Sequence, residues 1–291
     1  MITVEALSKR YGDTTVVEDL AFEVRPGRVT GFLGPNGAGK TQTIKMLLGL
    51  VRPTYGRALI DGRPLAQHPD PPRLVGTVLD GGAFHPARSA RHALRLHAQA
   101  AGVAGTRVDE LLARVGIAHA ADRKVGKFSL GMRQRLALAQ GLIADPQVLI
   151  ADEPANGLDP QGITWMRDLL REQADAGKTV FVSSHLLSEM ELMADDVVII
   201  AQGRLAAQGP VAALGGSAGS TVRVGAADPQ RLAQHLRARS LTVTSDGGDT
   251  LLVAGAGAAE VGTIANDARV ALTHLSEVRA SLEQRYLELV A

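Results

Sequence analysis

The sequence has 291 residues, of which 45% are hydrophobic, 21% are charged and only 3% are aromatic. This is ordinary globular composition, with enough chain for one large domain or two unequal domains. The net charge of +1 argues against nucleic acid as a partner, and the lack of cysteine excludes disulfides, thiolate metal sites and cysteine nucleophiles.

The first part of the chain predicts short strands followed by a helix. Alternating or continuous apolar residues indicate strands at residues 1–4, 16–24 and 29–33, and helical spacing indicates a helix at residues 43–50. The third strand and this helix flank a glycine-rich segment. Strand, loop and helix in this order is the context that a phosphate-binding loop requires.

Residues 34–41 match the phosphate-loop pattern G-x-x-x-x-G-K-[ST] in full. Glycines let backbone N–H groups approach phosphate oxygens, and the N-terminus of the following helix favours the same anion. Lys40 is predicted to reach the β- and γ-phosphates and the Thr41 hydroxyl to ligate Mg²⁺. The alternative is a chance match, expected in roughly one in a hundred chains of this length. The predicted nucleotide-binding residues here are Gly34, Pro35, Asn36, Gly37, Ala38, Gly39, Lys40, Thr41 and Gln42.

The middle of the chain alternates helices with strands. Helices are predicted at residues 89–110, 131–143, 165–176 and 187–193, and strands at residues 148–151, 179–182 and 197–200. This alternation predicts an α/β fold with a parallel sheet.

Asp152 and Glu153 follow the apolar strand at residues 148–151. Ligands of open α/β sheets lie at the carboxyl ends of strands, so Asp152 is predicted to hold the Mg²⁺ shell. Glu153 is predicted to orient or deprotonate an attacking water. The alternative is a strand that ends at a solvated acidic turn, and the accompanying phosphate loop favours the catalytic interpretation.

The composition changes at residues 215–220, where Gly-Gly-Ser-Ala-Gly-Ser is typical of a flexible linker. We therefore predict a nucleotide-binding domain over residues 1–214, this linker, and an accessory α+β domain over residues 221–291. The accessory domain carries no catalytic constellation. Its predicted elements are strands at 221–224, 241–244, 250–253 and 270–272 and helices at 229–240, 258–268 and 278–290, with a hairpin turn at 246–249.

Five motifs stand in the order and approximate spacing of ABC-transporter ATPase subunits: residues 34–41, 129–135, 148–154, 157–160 and 184–185. The chain resembles this family over about its first two-thirds. Within the family it is most similar to the ATPases of bacterial ABC-2-type drug and antibiotic exporters, including the bacitracin-resistance type. The resemblance implies a P-loop NTPase core of the ABC type with a helical subdomain, plus the small C-terminal α+β appendage.

The resemblance also implies roles for single residues. Tyr11 would stack on adenine, and His185 would contact the γ-phosphate. Ser129 and Gly131 match the signature loop, which meets ATP held by the opposite subunit, and Asp159 would lie beside the partner's phosphate loop. The alternatives are a lone aromatic side chain at a turn for Tyr11, a polar loop residue for His185, and a plain helix cap for Ser129.

Two positions depart from the family pattern. Leu130 and Met132 replace the middle glycine and the glutamine of the usual signature L-S-G-G-Q. Asp80 stands where the family normally has glutamine. An aspartate oxygen can still ligate Mg²⁺, although this side chain is shorter.

The function implied by the resemblance is ATP hydrolysis that powers export of a drug-like, antibiotic-like or lipid-like substrate. The ATPase would work as a homodimer, or paired with a homologous ATPase, against a separate polytopic permease at the cytoplasmic face of the cell membrane. No apolar run approaches the roughly 20 residues of a membrane-spanning helix, so we expect a soluble chain that reaches the membrane through this partner.

Two other functions fit the sequence less well. A soluble non-transport ABC ATPase acting on ribosomes or DNA usually carries two cassettes or a long inserted coiled coil, and neither is present. A P-loop kinase or GTPase leaves residues 129–135 and His185 without a role.

Overall fold

The computed structural model describes residues 1–79, 84–214, 221–278 and 286. The chain divides into two compact units, the first comprising Met1–Pro210 and the second beginning at Val211. Each unit has its own buried core. No helix of the described segments combines the length and the apolarity that crossing a bilayer demands.

A six-stranded sheet forms the centre of the first unit. Its strands are β3 (Arg28–Leu33), β5 (Val75–Val78), β6 (Val148–Asp152), β7 (Thr179–Ser184), β8 (Asp196–Ala201) and β9 (Arg204–Pro210). They lie in the order β5-β6-β7-β3-β8-β9, all parallel except β9. Every residue of β6 and β7 is buried, which explains the apolar runs at residues 148–151 and 180–182. The predicted parallel α/β core is confirmed, with an antiparallel edge strand that the sequence did not indicate.

A three-stranded antiparallel sheet packs beside the central sheet. Its strands, in the order β2-β1-β4, are β1 (Ile2–Tyr11), β2 (Thr14–Val24) and β4 (Tyr55–Ile60). The rings of Phe22, Phe32 and Phe181 lie with centroids 5.1 to 5.8 Å apart and join the two sheets. β4 was not predicted, because its first three residues are exposed and its sequence shows no alternation of apolar and polar residues.

Most of the predicted helices before residue 215 are present with shifted ends, and two short helices, at residues 71–74 and 211–214, were not predicted. The observed helices are α1 (Lys40–Leu47), α2 (Pro71–Leu74), α3 (Ala90–Ala100), α4 (Thr106–Arg114), α5 (Leu130–Gly141), α6 (Pro160–Asp175), α7 (Leu187–Met193) and α8 (Val211–Leu214). The single helix predicted at 89–110 is wrong. Gly102 takes a left-handed φ of +63° just past α3, which ends that helix. Helix α6 begins at Pro160, earlier than predicted, because Asp159 caps it and proline fits a first helical turn.

Helices α3, α4 and α5 pack on one another as a helical subdomain, and α5 also lies against β5. Gly76 of β5 makes this second contact possible. A Cβ atom built on Gly76 would overlap the carbonyl oxygen of Gly141 at the end of α5.

Gly76→Ala should lower the free energy of unfolding by about 3 kcal/mol, the upper end of the usual cost of overpacking, because the obstacle is backbone. Gly105→Ala is the control, since a Cβ there meets no atom of the described part of the chain within 4 Å. The free energy of unfolding of this control should fall by less than about 1 kcal/mol, the scale of a changed helix cap. Urea unfolding of both variants checks this, and equal losses would show that the close approach of β5 and α5 is unimportant.

The second unit has the β-α-β-β-α-β order of a ferredoxin-like fold. Its elements are β10 (Thr221–Ala226), α9 (Pro229–Ala238), β11 (Thr242–Ser245), β12 (Thr250–Ala254), α10 (Ala258–Asp267) and β13 (Leu272–Val278). The sheet order is β11-β12-β10-β13 and all pairs are antiparallel. Val222 and Val224 of β10 are fully buried with Leu232 and Leu236 of α9.

The predicted hairpin between β11 and β12 is confirmed by their antiparallel pairing. The strand predicted at residues 270–272 is wrong, because β13 runs from Leu272 to Val278. The helix predicted at residues 278–290 lies outside the described residues except at Val278, which ends the strand, and at Tyr286. The predicted linker at residues 215–220 also lies outside the described residues.

Candidate active site

The glycine-rich loop joins β3 to α1. Gly39 caps α1 with a φ of +100°, a left-handed conformation that glycine adopts without penalty, and a Cβ there would lie 2.9 Å from the carbonyl oxygen of Val16. Lys40 begins the helix with only 6% of its surface exposed, and its Nζ donates to the carbonyl oxygen of Gly34 at 2.6 Å. The loop thus wraps around its own ammonium group at a helix N-terminus, where anions bind.

Thr41 and Asp152 meet beside this loop. The Thr41 hydroxyl donates to Oδ2 of Asp152 at 2.7 Å, and the other carboxylate oxygen accepts from the Ser183 hydroxyl. Asp152 ends β6 and pairs directly with Ser183 of β7 in the parallel register. Ser183 was not predicted, because the only signal in its sequence is a position at a strand end shortly before His185.

The chemistry of this pair fits Mg²⁺. Within residues 1–79, 84–214 and 221–278, no group of three or more histidine, aspartate and glutamate residues is suited to a metal ion. Mg²⁺ does not need such a cage, because it is usually bound through one or two carboxylates together with waters and substrate phosphates. Asp80, the third predicted metal ligand, lies outside the described residues.

Glu153 stands at the centre of the remaining contacts. Its Oε2 lies 2.8 Å from Nδ1 of His185, and its Oε1 lies 3.5 Å from Nζ of Lys40. Its backbone φ is +48°, a left-handed value that costs a non-glycine residue about 1–2 kcal/mol. Such strain is concentrated at functional sites. Three segments distant in sequence therefore bring a carboxylate, an imidazole and an ammonium group together.

One further carboxylate lies close to this cluster. Burial is the largest influence on Glu189 and raises the pKa of its carboxyl, while a hydrogen bond from the Ser184 hydroxyl and the charge of His185 act in the lowering direction. The negative charge of Glu153 raises this pKa further. Burial thus disfavours the ionised form of Glu189.

A cavity of about 430 Å³ opens over the loop, within the range of small-molecule sites. The predicted residues that line it are Pro35, Asn36, Gly37, Gly39, Lys40, Thr41, Gln42, Glu153 and His185. Val16 and Asn156 also line it and were missed. Asn156 could have been predicted from its position three residues after Glu153. Val16 belongs to β2, and nothing in its local sequence indicates a position beside the cavity.

Tyr11 is not among the residues that line the cavity. Its side chain is 51% exposed, its hydroxyl accepts a hydrogen bond from Nε2 of Gln42 at 3.0 Å, and the Lys9 ammonium lies 4.7 Å from the ring centroid. Because Gln42 does line the cavity, the half-exposed aromatic ring stands at its margin.

Ser129, Gly131 and Asp159 also lie apart from the cavity lining. Ser129 caps α5 by accepting from the backbone N–H of Met132 at 3.2 Å, and Asp159 caps α6 by accepting from Gly162 at 2.8 Å. Leu130 is 49% exposed and packs on Gly157. The two caps explain why Ser129 and Asp159 stand where their helices begin. Contact between these loops and ATP held by a second copy of the chain stays a prediction.

A family profile described as ABC transporter matches residues 17–156, and one described as a domain of unknown function matches residues 220–283. The bacitracin transport ATP-binding protein BcrA of Bacillus licheniformis is 43% identical over 208 residues, covering 70% of this chain and 68% of its own length. The lantibiotic transport ATP-binding protein SrtF of Streptococcus pyogenes is 36% identical, covering 70% and 89%. A solved structure described as the ATP binding subunit of an ABC transporter matches with a TM-score of 0.68 and 30% identity, covering 74% and 91%.

Proposed function

The chain belongs to the ABC transporter family as an ATP-binding and ATP-hydrolysing subunit, and from this we propose that it powers export of an antibiotic-like, drug-like or lipid-like substrate through a separate permease. The observation that carries the proposal is the cavity in which Lys40, Thr41 and Glu153 converge. The relatives named for bacitracin and lantibiotic transport support the substrate class.

The phosphates of ATP would lie on the loop at the N-terminus of α1. Lys40, whose Nζ donates to the carbonyl oxygen of Gly34, would turn to the β- and γ-phosphates. Tyr11 would stack on adenine at the cavity margin, steadied by Gln42. Thr41 and Asp152 would hold Mg²⁺, which when bound neutralises negative charge on the phosphates.

Glu153 would act as the general base. Its carboxylate borders the cavity and would accept a proton from an attacking water. The hydrogen bond with His185 would help to orient this carboxylate. The contact with Lys40 keeps the carboxylate close to the phosphate end of the cavity. The site can therefore activate water next to the bond that breaks.

We further propose that two copies of the chain, or this chain and a homologous ATPase, form the working unit. Ser129, Gly131 and Asp159 lie outside the cavity of their own chain, and two of them cap helices. A helix N-terminus offers free N–H groups to an anion, here the γ-phosphate of the partner's ATP. ATP would favour the closed dimer and hydrolysis would release it. The second unit would serve as an accessory domain.

The dimer would work at the cytoplasmic face of the cell membrane, held there by its permease.

The test is to purify the tagged chain from detergent-solubilised membranes and to identify the proteins that accompany it. ATP turnover is measured with Mg²⁺ and with a chelator. The expected result is a polytopic membrane protein and turnover that depends on Mg²⁺. Co-purification with ribosomes or DNA in place of a membrane protein would favour the non-transport alternative.

A further inference from the structure

A buried amide on the helix after the signature loop reaches the general base. Gln134 lies on α5, only 2% of its surface is exposed, and its Nε2 donates to the backbone carbonyl oxygen of Glu153 at 3.4 Å. A buried amide is costly unless it is hydrogen-bonded, so this contact gives Gln134 a reason to face Glu153.

The backbone it touches needs support. Glu153 is held in a left-handed conformation, with φ of +48°. On one side its N–H donates to the carbonyl oxygen and the hydroxyl of Ser183, at 3.2 and 3.0 Å. On the other side its carbonyl oxygen accepts from Gln134 and, at 3.2 Å, from the N–H of Asn156. The peptide frame that carries the catalytic carboxylate is thus fixed from both ends.

The neighbours of Gln134 on α5 bond elsewhere. Arg133 donates to the carbonyl oxygen of Phe128 at 2.9 Å. Arg135 donates to that of Val115 at 3.0 Å, and its guanidinium lies 4.1 Å from the ring centroid of Trp165. These contacts fasten the helix to its surroundings, whereas Gln134 connects it to the end of β6. A shift of the Ser129 end of α5 would therefore displace Gln134 and, through its hydrogen bond, the backbone of Glu153.

We propose that Gln134 is a positioning residue of ATP hydrolysis, which holds the backbone of Glu153 and couples it to the position of the Ser129 loop. This inference rests on the proposed function, in which Glu153 is the general base. It assigns Gln134 no contact with ATP or water, so binding of ATP should not depend on it.

Gln134→Met removes the donor and keeps the length of the side chain. It should lower kcat for ATP by roughly 10- to 100-fold, the scale expected for a misplaced catalytic group, with KM changed less than about twofold. Gln140→Met on the same helix is the matched control, because Oε1 of Gln140 is buried and has no hydrogen-bond partner among the residues that the structure describes. It should turn over ATP like the wild type.

A second comparison separates positioning from general damage. In a Glu153→Gln background, adding Gln134→Met should cause no further loss, because the group that it positions no longer accepts a proton. Equal kcat for Gln134→Met and Gln140→Met, or an additive loss in the double variant, would overturn the inference. A wild-type chain without ATPase activity would overturn the proposed function itself, so the two failures are distinguishable.

Discussion

Replacing Glu153 with glutamine should lower the rate of ATP turnover by about 100- to 10,000-fold, the range that a general base contributes. Glutamine keeps the shape of the side chain and its contact with His185, which is 2.8 Å away in the native protein. It cannot accept a proton from water. ATP binding should persist, because the loop around Lys40 is unchanged, and the variant should accumulate as an ATP-bound dimer.

Steady-state turnover and light scattering with and without ATP measure the two effects. Glu110→Gln is the matched control, since Glu110 is an exposed residue of α4 that pairs with Arg107 at 3.3 Å, away from the cavity. It should leave turnover and association unchanged. Near-normal turnover in Glu153→Gln would show that another group activates the water.

Replacing Lys40 with alanine should weaken ATP binding by about 2–4 kcal/mol, or roughly 30- to 1,000-fold in Kd. Lys40 is nearly buried, its Nζ donates to Gly34 at 2.6 Å, and it lies 3.5 Å from Oε1 of Glu153. The variant loses the ammonium group that would pair with the phosphates. The variant also leaves the Glu153 carboxylate next to the phosphates of ATP without a cation to compensate their repulsion.

Titration with a fluorescent ATP analogue at fixed ionic strength measures this loss. Lys45→Ala is the control, because Lys45 stands in the last turn of the same helix and does not line the cavity. Its Kd should remain within about twofold of the wild type, since Lys45 is not among the residues that line the cavity and its charge would act on the phosphates only through salt-weakened long-range attraction. Equal affinities for the two variants would contradict the assignment of residues 34–41 to phosphate binding.

Much of the fold followed from local pattern. The buried strands β6 and β7 carry apolar runs at residues 148–151 and 180–182, and the glycines of residues 34–41 allow the conformation of that loop, so both were predictable. β9 was not, because it is mostly exposed and has no apolar alternation. It is a strand only because backbone groups of β8 pair with it, and nothing in its own sequence reports that pairing.

The candidate site likewise combines residues that the sequence predicts with residues that only the structure reveals. Contiguous motifs contain Lys40, Thr41 and Glu153, so the spacing of these motifs predicted their chemistry. Ser183 and Val16 were missed, because they enter the site through strand neighbours and carry no motif of their own. Gln134 stood inside a recognised motif without a role, since the burial that directs its amide toward Glu153 arises only when α5 packs.

The sequence by itself determined that a phosphate loop lies between a strand and a helix, and that two acids end another strand. These are properties of contiguous residues, set by backbone freedom, apolar runs and spacing. Tertiary structure alone decided that the Thr41 hydroxyl meets Asp152, 111 residues later, and that His185 meets Glu153 across 32 residues. Sheet order sets such contacts, because parallel strands distant in sequence align their carboxyl ends at one edge.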